Sequence, residues 1–518
     1  MSKRVASGIV PVIRIDRNAA MTLHRQIYDA VRTAISEGRL RPGQQIPSSR
    51  LLATELGVSR VPVLDAYAQL LAEGYLTARI GSGTTVSSQL PDRFISTDPT
   101  LKKRGGAALE GTRNVAQRTA ILPSPLMMPW TRNWGAFGVG QVAADSFPLQ
   151  TWSNIVARRS KNMSVRSFGY GDPMGYLPLR QSIAEYLRTA RSVACDADQV
   201  LIVSGSQQAL EISAQVLVDP GDPVWIEEPG YRFSREVFAL SGSRLVAVPV
   251  DDQGLNVSAG IKKCRSARVA IVTPSHQFPL GVTMSASRRL QLLQWAQENG
   301  SWIIEDDYDS EYRYESAPIS SLQGLDNHER VIYIGTFSKV LFPSLRIGYV
   351  VVPRDLLRHY VAVRRVTDLG SASLTQEVLA EFISEGHFER HIRRMRVLYK
   401  ERRSALVESL SSELDVAGEV LGAEAGLHLT RTLPGMESDY DIAVRAASQN
   451  LWMWPLSSAY IGGAARNGLI LGFGSTQAAD IPAAVRKLRD VLLNVGSVES
   501  GVFGNSGSQV AETRRFGS

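Results

Sequence analysis

The segment Gly335–Gly348, GTFSKVLFPSLRIG, decides the fold. It extends a short apolar run, Val331-Ile332-Tyr333-Ile334, whose β-branched and aromatic residues read as a buried strand. The strand opens into a loop with two hydroxyls, Thr336 and Ser338, then Lys339 and, seven residues on, Arg346. A lysine placed this way can condense with an aldehyde. Ser338 and Arg346 on either side can hold a phosphate by hydrogen bonds, the guanidinium in a bidentate contact. An aldehyde and a phosphate on one small molecule are the features of pyridoxal 5′-phosphate (PLP).

Upstream, Ser204-Gly205-Ser206-Gln207-Gln208-Ala209-Leu210 follows the strand-like Val200–Val203 and starts a helix. Free N–H groups and the helix dipole make such a turn a phosphate site. Glu227-Glu228-Pro229-Gly230-Tyr231 follows the next strand, and Ile303-Ile304-Glu305-Asp306-Asp307-Tyr308 is a buried strand running into acids. A carboxylate there is costly to bury unless paired, and a protonated pyridine nitrogen is a suitable partner. Asp306 and Asp307 both stand as candidates for that contact.

With 518 residues the chain is too long for one core and implies two or three domains. No run of about 18 apolar residues is present, so no membrane span is expected. The first residues, Met1-Ser2-Lys3-Arg4, begin no apolar stretch of the secretory type. Cys195 and Cys264 are too few for a disulfide framework and lack metal-ligand spacing, so a reducing cytoplasm and no metal site are expected. The net charge of +7 permits an anionic partner such as DNA without requiring one.

Composition shifts divide the chain into a helical module at 16–88, a flexible linker at 89–128, an α/β domain at 129–496 and a Gly/Ser-rich disordered tail at 497–518. In the first module Leu23, Ile27, Ala30, Val31, Ala34 and Ile35 share one helical face after Thr22, a candidate N-cap. A second helix starts near Pro47-Ser48-Ser49-Arg50, Gly57 breaks it, and Ser59-Arg60 opens a third. Two short helices joined by a Gly-containing turn form a helix-turn-helix signature. Tyr75–Ala78, Gly81-Ser82-Gly83 and Thr84–Val86 then read as a β-hairpin wing.

These motifs resemble two known families. The lysine segment, with Phe168–Arg180, Ser204–Leu210, Glu227–Tyr231 and Ile303–Tyr308, keeps the order of fold-type I class-I aminotransferases over about 180 residues. The resemblance implies that Lys339 forms the Schiff base with PLP. It also implies that Ser206, Gln207, Thr336, Ser338 and Arg346 surround the phosphate, and that Tyr231 stacks on the ring. Asp306 would bind the ring nitrogen and Tyr308 the ring oxygen, with Tyr170 reaching the phosphate in a partner subunit of a homodimer. Thr273–Gly281 occupies the slot of an N-P-x-N-P motif, with Phe278 where an asparagine would bond the ring oxygen. His276 in that loop is assigned no proton-transfer role.

Gly38–Arg60 and Ser82–Val86 look like the GntR-family winged helix. That implies DNA contacts by Arg50 and Arg60, with Ser49 and Ser59 near phosphates and Gly81 letting the wing approach the minor groove. Val61 and Pro62 depart from the small polar residues usual after the arginine, so a thymine methyl contact replaces some hydrogen bonding there.

A GntR winged helix joined to an aminotransferase-like domain is the organisation of the MocR subfamily of bacterial transcription regulators. The fold implied is an α+β winged helix-turn-helix followed by an α/β fold-type I PLP-dependent transferase-like domain with large and small subdomains. The function implied is a PLP-bound, DNA-binding dimer whose retired catalytic domain is the sensor. In relatives that sense a free amino acid, a small-domain arginine grips the effector carboxylate. The matching segment, Trp454–Tyr460, has no arginine and places Ser458 near that position; Arg466 in the next loop is a candidate substitute, and whether it replaces the arginine is left open by the sequence. The effector is then PLP itself or an amino compound held by other groups. The alternatives are an active aminotransferase acting between an amino acid and a 2-oxo acid, or a DNA-binding scaffold without PLP.

Overall fold

The computed structural model describes residues 13–79, 83–90, 116–122, 135–163, 168–315, 319–414, 417–435, 438–462 and 465–493. The chain divides into two compact units, Met1–Asn114 and Val115–Ser518. That division falls inside the expected linker, of which a short 3-10 turn at Gln117–Ile121 is described. The tail and the wing residue Gly81 lie outside the described residues.

The first unit holds α1 (Leu23–Ser36), α2 (Ser49–Leu56), α3 (Arg60–Ala72), β1 (Leu76–Arg79) and β2 (Gly83–Val86). The helical spacing of Ile27, Val31, Ala34 and Ile35 places them in one core with Leu52, Ala53, Val63, Ala66 and Leu70. Ser48 caps α2, its hydroxyl accepting from the Leu51 N–H at 3.3 Å, and Gly57 ends the helix in the left-handed region at φ +63°. β1 and β2 pair antiparallel, Leu76 opposite Val86, as the wing.

In the second unit the strands are β3 (Val200–Val203), β4 (Pro223–Glu228), β5 (Arg244–Asp251), β6 (Gly254–Leu255), β7 (Val269–Val272), β8 (Trp302–Asp307), β9 (Val331–Thr336) and β10 (Gly348–Val351), then β11 (Val420–Leu421), β12 (His428–Thr432), β13 (Trp454–Pro455) and β14 (Gly468–Gly472). Its helices are α4 (Leu149–Lys161), α5 (Leu177–Arg191), α6 (Ser206–Leu217), α7 (Arg232–Leu240), α8 (Val257–Cys264), α9 (Ala286–Asn299), α10 (Leu357–Thr367), α11 (Ser373–Ser384), α12 (His387–Glu413), α13 (Asp439–Ser448) and α14 (Ile481–Leu493).

The large sheet runs β3-β10-β9-β8-β7-β4-β5-β6. Strands β9, β8, β7, β4 and β5 are mutually parallel, and β10 is antiparallel to β3 and β9. β3, β7, β8, β9 and β10 are buried along their whole length. Burial on both faces explains why these strands read as apolar runs without alternation. A four-stranded antiparallel sheet, β11-β12-β14-β13, forms a smaller core with α13 and α14. The long α12 joins the two cores: Phe388 and Ile392 pack with the large sheet, Met395, Tyr399 and Leu406 with the small one.

The parallel strands set the site. The C-terminal ends of β4, β7, β8 and β9 open to one side, where ligands bind in open α/β sheets. Ile332 lies fully buried in β9, the strand that delivers Lys339. Ile332→Ala is expected to destabilise the second unit by roughly 2–5 kcal/mol, read as a lower urea midpoint with an unchanged slope.

Candidate functional site

At these strand ends a cavity is lined by all nine cofactor residues expected from this subunit: Ser206, Gln207, Tyr231, Asp306, Tyr308, Thr336, Ser338, Lys339 and Arg346. Tyr170 lies elsewhere and is 88% exposed.

The phosphate end is built from two backbone irregularities. Gly205 takes φ +93° just before α6, leaving the free N–H groups of Ser206 and Gln207 at the helix start. Arg346 sits in the left-handed region at φ +53°, and its Nη2 donates to the Ser204 carbonyl at 2.6 Å. A Cβ at Gly205 would stand 3.1 Å from that guanidinium, so glycine keeps the arginine in place. The Ser338 N–H donates to Thr336 Oγ1 at 3.2 Å.

Lys339 is half-buried, and its Nζ donates to the Gly140 carbonyl at 3.1 Å. Burial moves its pKa below the ordinary ammonium value, opposed by the nearby Asp309 and Asp306. A lysine held this way is closer to the neutral amine that attacks an aldehyde.

The two acids at the end of β8 separate by environment. Asp307 is committed to a buried ion pair with Arg191 at 2.7 Å and accepts from the Tyr333 hydroxyl at 2.5 Å. Asp306 lines the cavity, and its Oδ1 is buried without a hydrogen-bond partner. Burial, then the charges of Asp307, Glu227 and Asp309, push its pKa up to about 7. An unpartnered buried carboxyl facing a cavity fits a cationic ring nitrogen. Together with Lys339 and the guanidinium beside a helix N-terminus, it makes the residues present fit PLP.

Tyr308 lines the cavity, but its hydroxyl donates to the His276 carbonyl at 3.0 Å and lies 3.2 Å from His276 Nδ1. Phe278 forms part of the wall, its ring edge-on to Tyr231 at 5.4 Å. Asp309, His428, Trp454 and Gly140 also line the cavity and were not expected there. They come from segments far apart in the chain, and a lone histidine opening a short buried strand carries no local signal.

The substitute clamp is corrected. Arg466 lines a separate cleft with Glu419, Thr432 and Asn467. Ser458 and Ala459 turn their carbonyls to Arg235, which donates to each at 2.8 Å. Among the described residues, Arg346 is the one arginine lining the Lys339 cavity.

On the first unit Arg50 is exposed on α2, and Ser59 precedes α3 with a hydroxyl that makes no capping bond. The expectation for Ser49 is also corrected. Its side chain is buried, and its hydroxyl accepts from Arg60 Nε at 3.1 Å, so it orients Arg60 and is not open to a phosphate. Val61 is 63% exposed, and Leu51 and Leu64 are exposed too.

Comparison with known proteins agrees with both halves. The family of bacterial regulatory proteins of the gntR type matches residues 23–86, and the aminotransferase class I and II family matches residues 135–457. The probable rhizopine catabolism regulatory protein MocR of Rhizobium meliloti is 38% identical over 93% of this chain and 96% of its own length. The chain belongs to the MocR subfamily of GntR-type regulators. Within it, the pyridoxine biosynthesis transcriptional regulator PdxR of Corynebacterium glutamicum is 32% identical over 89% of this chain and 94% of its own. The second unit of this MocR-type chain is similar to Pyrococcus horikoshii kynurenine aminotransferase, solved with PMP (TM-score 0.68, 27% identity, 74% of this chain and 98% of that one). The chain is thus an HTH-type transcriptional regulator of the MocR type carrying a fold-type I aminotransferase fold, and a working aminotransferase is not the favoured reading.

The raised Asp306 pKa fixes a pH dependence for the cofactor-free protein. Unfolded, the carboxyl titrates near 4; folded, at about 7. The penalty for burying its charge is absent below about pH 4, grows up to about pH 7 and is complete above it. Cofactor-free Asp306→Asn is therefore expected to exceed the wild type in stability at pH 8 by about 4 kcal/mol, the gap closing toward pH 4.5. Urea melts at the two pH values check this, and a pH-independent gap contradicts it.

Proposed function

We propose that this MocR-type regulator binds PLP in the Lys339 cavity and uses it to sense PLP itself or an amino compound, altering the grip of its winged helices on operator DNA. The observation that carries the reading is the unpartnered Asp306 Oδ1 in one cavity with Lys339 and a guanidinium at a helix N-terminus. Bound there, PLP supplies an aldehyde carbon that captures primary amines.

The chain's own residues do the rest. Lys339 anchors the aldehyde carbon, and Ser206, Gln207, Thr336, Ser338 and Arg346 hold the phosphate. Asp306 pairs with the ring nitrogen, Tyr231 covers the ring face, and Tyr308 turns from His276 to the ring oxygen. Tyr170, exposed in this chain, suits a role in the partner subunit of a homodimer. On the DNA side Arg50 and Arg60 meet the duplex, Ser59 and the wing at Gly81 lie against its backbone, and Ser49 holds Arg60 in position.

We place the winged helix at 16–88 and the PLP-binding domain at 129–496, joined by a linker at 89–128. A cytoplasmic location suits a DNA-binding regulator, and no helix among the described residues is long and apolar enough to cross a membrane. An effector shifts DNA affinity only through its different affinity for two arrangements of the protein.

Lys339→Ala is expected to abolish the visible absorbance of lysine-bound PLP while the protein still binds its operator; an unchanged spectrum rejects the assignment. Arg50→Ala is expected to weaken operator binding and to lower the salt slope of log K by about 0.9 for each phosphate that the variant leaves unneutralised. Fluorescence anisotropy across a salt series reads both, and undiminished affinity removes Arg50 from the interface.

A further inference from the structure

The PLP reading takes nine of the residues lining the Lys339 cavity, and the wall they leave is mostly apolar. Its side chains come from Val139, Pro343, Leu427, Phe278 and Trp454. The two large rings lie side by side. Phe278 and Trp454 stand edge-on with centroids 6.1 Å apart, and Phe278 meets Tyr231 edge-on at 5.4 Å. They come from different subdomains: Phe278 follows β7 of the large sheet, and Trp454 opens β13 of the small one.

The polar groups beside them are bonded within the protein or carry no positive charge. Thr273 Oγ1 donates to Glu227 at 2.7 Å and accepts from the Phe278 N–H at 3.2 Å. Asp309 is bonded to His276 Nδ1 and to the Leu427 N–H, each at 3.2 Å. The Gly140 carbonyl accepts from Lys339. His428 is 3% exposed and lies beside Phe278 with ring centroids 5.1 Å apart; burial drives its pKa well below the ordinary histidine value, so it adds no positive charge. Arg346 is the one arginine lining the cavity among the described residues, and it donates to the Ser204 carbonyl at the phosphate end. A carboxylate set against this wall would lose its water, find no cation and face the Asp309 carboxyl. An aryl or branched alkyl group gives up no hydrogen bonds there and buries its surface against two rings.

We infer that the effector is a primary amine with an apolar body, an aryl or branched alkyl group packed against Phe278 and Trp454, and that it carries no carboxylate. This rests on the PLP-sensor reading, which places the amine end of the effector toward Lys339. Phe278 and Trp454 are then the residues that select it, one from each subdomain.

The test uses the full chain loaded with PLP and titrated calorimetrically with phenethylamine and isoamylamine, with phenylalanine and leucine as their carboxylated counterparts, and with ethanolamine as the polar control. PLP uptake and operator binding are measured first on the same preparation. Each apolar amine is expected to bind at least about tenfold tighter than its amino acid and than ethanolamine. Phe278→Leu and Trp454→Leu should each lower the ratio of phenethylamine to ethanolamine affinity by roughly 3- to 10-fold. Trp454 is half-buried, so its variant decides the matter where Phe278→Leu fails to fold. Equal or tighter binding by either amino acid or by ethanolamine, no binding by any amine, or a ratio untouched in Trp454→Leu would each overturn the inference. Failure of the wild type to take up PLP or bind operator overturns the sensor reading and this one with it; intact uptake and operator binding without discrimination overturns this one alone.

Discussion

The structure turns on one buried carboxyl that the protein itself does not satisfy. Asp306 is the last residue but one of β8, a strand buried along its whole length, close to Glu227, Asp307 and Asp309. Its neighbours are neutralised by other means. Arg191 takes Asp307, the Leu322 and Gln323 N–H groups take Glu305, and Thr273 and Gln277 take Glu227. Asp309, which also lines the cavity, is bonded to His276 and the Leu427 N–H, so Asp306 is the acid left without a partner there, with Lys339 as the nearby cation among its perturbers. Such an arrangement lowers stability in the cofactor-free protein and is the mark of a site built for a positively charged partner. The parallel sheet makes it possible, because it brings the ends of β4, β7, β8 and β9 together and excludes water beneath them.

Much of this was legible in the sequence where the signal is local. The apolar runs at 200–203, 303–304 and 331–334 are buried strands, and the residues just after them are the cavity wall. The choice between Asp306 and Asp307 was not legible. Successive strand residues point to opposite faces, so either could face the ligand, and the deciding contact is Arg191 at the end of α5. His428 was missed for the same reason: what matters is its register in β12 against Phe278 and Pro279, fixed by tertiary packing. Ser49 was misread because hydroxyls crowd the start of α2. Ser48 is the cap, and one residue further the helix turns Ser49 into the unit's interior, where Arg60 finds it.

That contact gives the recognition helix a defined starting point. Arg60 is the first residue of α3 and is tethered through Nε to a buried hydroxyl, so the DNA contact proposed for its guanidinium would cost less side-chain entropy. Next to it Val61 and Leu64 face solvent, with Leu51 exposed on α2. Exposed apolar side chains beside a held arginine suit contact with base methyl groups more than a hydrogen-bonding code.

Phe278 bears on why an aminotransferase fold serves a regulator. Where the aminotransferase pattern places an asparagine, this chain has a phenyl ring packed edge-on against Tyr231 and beside Trp454 and His428. The change removes a polar contact to the ring oxygen and adds an apolar wall. An enzyme needs interactions that strengthen in the transition state, whereas a sensor needs only that the bound ligand favour one conformation. The two-core layout meets that need. The strand ends that carry Asp306 and Lys339 belong to the large sheet and His428 to the small one, all three line one cavity, and α12 packs against both cores. A ligand that touches both walls of that cavity favours one spacing of them, so its binding energy goes into selecting that spacing.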